Sequence, residues 1–122
     1  MSLKVLIVDD ALFMRNLLRG IFEGAGHRVV GEAGDGGEAV EKYRALGPDL
    51  VMMDIVMPHK TGIEALREII AADPGARVVM CSALGQDALV VEAVRSGARD
   101  FIVKPFRDAQ VLEVAQRVAR EG

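Results

Sequence analysis

Short apolar runs alternate with longer stretches of helical spacing along the whole chain. The runs are KVLIVD (4–9), RVVGEA (28–33), DLVMMD (49–54), RVVMCS (77–82) and RDFIVK (99–104). Turn residues punctuate them, as in GAGHR (24–28), LGPD (46–49), DPGA (73–76) and SGA (96–98), so each run reads as a strand. Helices are predicted between them, over 11–24, 36–46, 62–72, 86–96 and 107–120. In the last of these, Val111, Val114, Ala115 and Val118 recur at i, i+3, i+4 and i+7, with Leu112 beside them. Strands that alternate with helix-length crossovers make a parallel sheet covered on both faces. Right-handed crossovers then give a doubly wound α/β fold.

Composition narrows the class. A chain of 122 residues suits one domain, 1–122, and needs no disulfide staples. It ends with its fifth helix, so no output domain is expected. The net charge of −3 argues against a nucleic-acid partner. The single cysteine, Cys81, cannot form an internal disulfide, which fits a reducing compartment. No apolar run approaches the roughly 18 residues of a membrane span, and the N-terminus lacks a signal-peptide pattern. The expected location is the cytoplasm, away from any membrane.

The polar residues at the strand ends carry the chemistry. In open α/β sheets, sites form outside the carboxyl ends of the strands. There the first strand ends in Asp9 and Asp10, the third in Asp54, the fourth in Ser82 and the fifth in Lys104 before Pro105. Three carboxylates on one edge repel one another by about 3–4 kcal/mol per pair at ~4–5 Å. A divalent cation relieves that repulsion, and hard oxygen ligands suit Mg²⁺. Mg²⁺, a lysine and a hydroxyl around a carboxylate are the parts that phosphoryl transfer requires. Asp is also a favoured helix cap. Capping could account for Asp10 alone, but not for three acids and a lysine on four strand ends.

With these residues assembled, the sequence resembles the receiver domain of two-component response regulators over essentially its whole length. VDD (8–10), MMDIVMP (52–58), SA (82–83) and KPF (104–106) stand in the family's order and spacing. The resemblance implies a flavodoxin-like five-stranded sheet in order 2-1-3-4-5, with five helices. It implies that Asp54 accepts a phosphoryl group from a sensor histidine kinase. Asp9, Asp10, Asp54 and the carbonyl of Val56 would hold Mg²⁺. Ser82 would be the switch hydroxyl, Lys104 the counter-charge, and the bond before Pro105 cis. Such a protein is a signalling switch rather than a turnover enzyme. VDDALFMR (8–15) and CSALGQDALV (81–90) look most like single-domain chemotaxis regulators. That implies a monomer whose partners include a flagellar motor switch protein or a phosphatase.

By the same resemblance, Ser82 moves toward the aspartyl phosphate and Phe101, at the aromatic switch position, turns into the space vacated. Phe101 carries no hydroxyl, so burying it needs no hydrogen-bond partner. The readout face would be the fourth helix, fifth strand and fifth helix. The fourth helix carries more apolar residues than one core stripe needs, and Val90 and Val94 are expected to spill onto the surface. Val56 and Leu84, two residues after Asp54 and Ser82, are apolar where some family members place an amide or an acid. Neither can orient water, so slow self-dephosphorylation is expected.

Other features stay bland. GEAGDGGEAV (31–40) is glycine-rich but lacks the Lys-Ser/Thr of a P-loop. Cys81 reads as a packed thiol, the methionines as core filler, and His27 and His59 have no metal-ligand spacing. Three rivals remain. A Mg²⁺-dependent aspartyl-phosphate phosphatase would place its two acids two residues apart and carry a cap insertion. A flavin- or nucleotide-binding protein would want a phosphate loop after the first strand. A receiver cut from a larger, for example transcriptional, regulator would share all the chemistry.

Overall fold

The structure is a computed structural model that describes residues 2–121. In chain order the elements are β1 (Lys4–Val8), α1 (Leu12–Gly24), β2 (Arg28–Ala33), α2 (Gly36–Leu46), β3 (Leu50–Asp54), α3 (Gly62–Ala72), β4 (Val78–Ser82), α4 (Asp87–Arg95), β5 (Asp100–Val103) and α5 (Asp108–Ala119). The strands pair in parallel in the order β2-β1-β3-β4-β5, the flavodoxin-like arrangement. Asp9 and Lys104 fall just beyond the last paired residues of their strands.

Two-residue periodicity divides the core in two. Val5 and Ile7 of β1, Leu50 and Met52 of β3, and Val79 and Cys81 of β4 pack with Leu18, Ile21 and Phe22 of α1 and with Val111, Ala115 and Val118 of α5. Their neighbours Leu6, Val8, Val51, Met53, Val78 and Met80 face the other way, onto α2, α3 and α4. Both faces are therefore dry, which is why the central strands read as unbroken apolar runs. Each fully buried Leu, Ile, Val, Met or Phe side chain contributes roughly 1.5–3 kcal/mol. Cys81 is one of these packing residues, and burial pushes its thiol up to about 12.

Local chemistry sets the element ends. Asp35 caps α2 by accepting from the Glu38 N–H. Thr61 and Glu64 form a reciprocal capping box on α3. Gly47, in the left-handed region, ends α2. In the outermost strand, Val29 pairs with Val5 but Gly31 pairs with Leu6, so Val30 is an extra residue in a bulge. The opposite edge, β5, is only four residues long.

In α4 the sequence-based expectation holds for Val94 and fails for Val90. Val91 and Val94 are the exposed valines, whereas Val90 packs with Leu89 and Ala93 on the core. Two faces of this helix are apolar, so the pattern alone does not say which stripe turns inward. His27 is buried, its Nδ1 accepts from the Leu3 N–H, and its ring meets Phe22 edge-on. His59 is exposed.

Candidate functional site

The chain leaves β1 to one side and returns at β3 on the other, so a crevice opens above the carboxyl ends of these two strands. Asp9 extends β1 by one bond, from its N–H to the Ala33 carbonyl at 3.0 Å. Its side chain is almost wholly buried. One carboxylate oxygen accepts from the Ala11 N–H at 2.9 Å, and the other from Lys104 Nζ at 2.9 Å. Asp54, the last residue of β3, is also buried and lies 3.5 Å from the same ammonium. Asp10 is exposed and caps nothing: α1 has Ala11 at its N-cap with no side-chain bond. Capping therefore does not explain Asp10. One oxygen from each of Asp9, Asp10 and Asp54 lies within 4.8 Å of the others.

The lysine is delivered by backbone geometry. Its N–H donates to the Ser82 carbonyl at 2.8 Å, and the Lys104–Pro105 peptide is cis. Ser82 ends β4, fully buried, and its hydroxyl donates to the Ile102 carbonyl at 3.4 Å. All four strand ends thus meet at one place.

Burial is the main cause that lifts the Asp54 carboxyl, to about 6; the charges of Asp9 and Asp10 add to it and Lys104 opposes it. For Lys104, burial works against the charged form, but the bond to Asp9 and the charge of Asp54 outweigh it and raise its pKa. Three carboxylates against one ammonium leave two negative charges when all are ionised. An all-oxygen donor set, one member of it solvent-facing, with an uncompensated charge of two, fits a hard divalent cation that keeps part of its water shell.

Several contributors were not legible as site residues. Gly62 donates its N–H to the Ile55 carbonyl at 2.8 Å, which draws the start of α3 against the Asp54 backbone. Arg15 donates from Nη1 to the Asp9 carbonyl at 2.8 Å. Gln86 accepts the Ala83 N–H at 2.7 Å and fixes the turn after Ser82. The capping pattern Thr61-x-x-Glu64 marks the start of α3, but not the closeness of Gly62 to Asp54.

Val56 and Leu84, two residues beyond Asp54 and Ser82, are 52% and 80% exposed. Val56 occupies the loop after β3, and the following residue, Met57, is buried. Phe101 is 40% exposed and borders a cavity of about 500 Å³ together with Ser82, Leu84, Val90, Val91 and Val94.

The response regulator receiver domain matches residues 5–116 of this chain. The chain belongs to that family. Chemotaxis protein CheY of Thermotoga maritima is 53% identical over 120 residues, which cover 98% of this chain and 100% of that protein. The protein-glutamate methylesterase/protein-glutamine glutaminase of the same organism is 49% identical over 106 residues, which are 84% of this chain and 30% of that protein. Among solved structures, the CheX–CheY–BeF3–Mg²⁺ complex from Borrelia burgdorferi contains a chain that matches with a TM-score of 0.92 and 42% identity, over 97% of this chain and 90% of that one. This receiver is therefore of the chemotaxis-regulator type, and receivers of larger regulators share its fold.

Proposed function

We propose that this receiver is a phosphorylation-dependent switch that takes a phosphoryl group onto Asp54 from a phosphohistidine of a sensor kinase. The observation that carries the reading is the convergence of Asp9, Asp10 and Asp54 on one another, with Lys104 paired to Asp9 and Asp54. An ionised Asp54 oxygen attacks phosphorus, the P–N bond breaks, and its electron pair leaves with the imidazole nitrogen. With its pKa near 6, Asp54 is mostly ionised at neutral pH and is a competent nucleophile. Asp9, Asp10, Asp54 and the Val56 carbonyl would hold Mg²⁺, which supplies positive charge to the phosphoryl oxygens. Lys104 adds a second, fixed positive charge.

The product adds about two negative charges and three acceptor oxygens at the crevice. Ser82 then gives up its long bond to Ile102 and donates to the phosphoryl group. Phe101 turns into the cavity beside Ser82, which reshapes the face made by α4, β5 and α5. The similarity to chemotaxis regulators supports a cytoplasmic, monomeric messenger that docks this face on a flagellar motor switch protein or a phosphatase. A complex of CheX with CheY, as in the Borrelia structure, is in keeping with protein partners of that kind. A second reading, a receiver that belongs to a longer regulator, is favoured by the methylesterase match, in which the receiver is under a third of the protein. It changes the output and leaves the chemistry at Asp54 as it is.

Intact mass after incubation with acetyl phosphate tests the chemistry. The expected result is a gain of one phosphoryl group that requires Mg²⁺ and is absent in Asp54→Ala. A wild-type chain that gains nothing would overturn the reading.

A further inference from the structure

Asp9 and Asp10 are adjacent, so one peptide unit joins them, and its rotation decides where both carboxylates can go. That unit has a side-chain anchor. Arg15, at the end of the first turn of α1, donates from Nη1 to the Asp9 carbonyl at 2.8 Å. Its Nε donates to Glu32 Oε1 at 3.0 Å. Glu32 is held in turn by Arg19, whose Nε reaches Oε2 at 2.8 Å. A guanidinium is planar and rigid, so two bonds in different directions fix both its position and its tilt. The Arg15 side chain is only 20% exposed.

We propose that Arg15 is a positioning residue for cation binding: its bond to the Asp9 carbonyl sets the Asp9–Asp10 peptide so that the two neighbouring carboxylates converge with Asp54. This rests on the reading that the three acids hold Mg²⁺. Two simpler roles make different predictions. If Arg15 acted only as a nearby positive charge, its removal would tighten Mg²⁺ binding, because a competing cation would be gone. If it only stabilised the fold, its removal would lower the melting temperature equally with and without Mg²⁺. A positioning role weakens Mg²⁺ binding and shrinks the stabilisation that Mg²⁺ confers.

The test compares the full chain with Arg15→Met and Arg15→Lys, by calorimetric Mg²⁺ titration and by thermal unfolding with and without saturating Mg²⁺. Loss of a hydrogen bond behind a metal ligand typically weakens affinity by 10–100-fold. Here the bond acts through the backbone, so Arg15→Met should weaken Mg²⁺ binding about tenfold, at the low end of that range. Arg15→Lys, which keeps the charge and cannot keep both bonds, should fall between. A folded Arg15→Met that binds Mg²⁺ as tightly as wild type, or more tightly, would overturn the proposal. Should Arg15→Met fail to fold, the lysine variant decides, and wild-type affinity there overturns it equally. A wild-type chain that shows neither binding heat nor a Mg²⁺-dependent rise in Tm would overturn the metal reading itself, and this inference with it.

Discussion

A β-carbon on Gly62 would stand 1.9 Å from the carbonyl oxygen of Asp54. The next nearest atoms are also backbone, at 2.9 and 3.0 Å, so no side chain can swing away to make room. Helix α3 therefore starts where only glycine fits. Gly62→Ala should lose about 3 kcal/mol or more of stability in urea unfolding, at the top of the usual range for overpacking. Gly20, exposed within α1, has nothing within 4 Å of its would-be β-carbon. Gly20→Ala should gain roughly 0.5–1 kcal/mol from helix propensity alone. Equal effects of the two substitutions would contradict this account of Gly62.

Asp54 binds its proton more tightly in the folded chain than in the unfolded one, at about 6 against 3.8. Its contribution to stability is present in full below pH 4 and is lost as pH rises through 6. Asparagine imitates the protonated form at every pH. Without Mg²⁺, Asp54→Asn should therefore be more stable than wild type at pH 8 by roughly 2–3 kcal/mol, with the gap closing between pH 6 and 4. Denaturant midpoints across that range measure it, and a constant gap would refute the assignment. Protons and Mg²⁺ compete for the same carboxylate, so Mg²⁺ affinity should fall as the solution is taken below pH 6.

Val56 and Leu84, two residues beyond Asp54 and Ser82, both expose apolar side chains to solvent. Neither can hold the water that would hydrolyse an aspartyl phosphate. The phosphorylated chain should persist for minutes or longer once donor is removed. Val56→Asn should shorten that lifetime on the order of tenfold, a modest fraction of what a positioned polar group can contribute. Timed intact-mass spectra give both lifetimes, and one of seconds for wild type would be inconsistent with the argument.

The Ser82 hydroxyl makes one long bond, to Ile102. Its loss should cost the free protein less than about 1 kcal/mol. Coupling to Phe101 should suffer much more. With Trp substituted at position 101 as a reporter, acetyl phosphate and Mg²⁺ should shift the emission to the blue as the ring enters the cavity. In the Ser82→Ala background the shift should vanish although Asp54 is still phosphorylated. A shift that survives would separate the aromatic from the hydroxyl.

Much of this was readable in the chain. Both faces of the sheet are covered, so the strands appear as apolar runs, and the acids and the lysine that follow them stand out against that background. Each strand and helix lies within a residue or two of its expected bounds. What was not readable depends on distances between elements. Nothing in the string tells Gly62, which abuts Asp54, from Gly20, which abuts nothing. Arg15 lies in a helix whose pattern marks it only as polar, and its bond to Asp9 exists because α1 folds back along β1. Of the two α4 valines expected at the surface, Val94 is exposed and Val90 is not, because an apolar residue on either side of the core stripe looks the same in sequence.

The extra residue at Val30 has a consequence for the molecule among its own copies. An open sheet ends in two rows of unsatisfied peptide groups, and a long, flat edge is a template on which another chain can add. Here one border is kinked by the bulge in β2 and the other is the four-residue β5. Neither offers a straight run for a second sheet to join. A protein that exposes Phe13, Leu84, Val91 and Val94 to water leaves those side chains free for chosen encounters. Its borders give indiscriminate stacking little to grip.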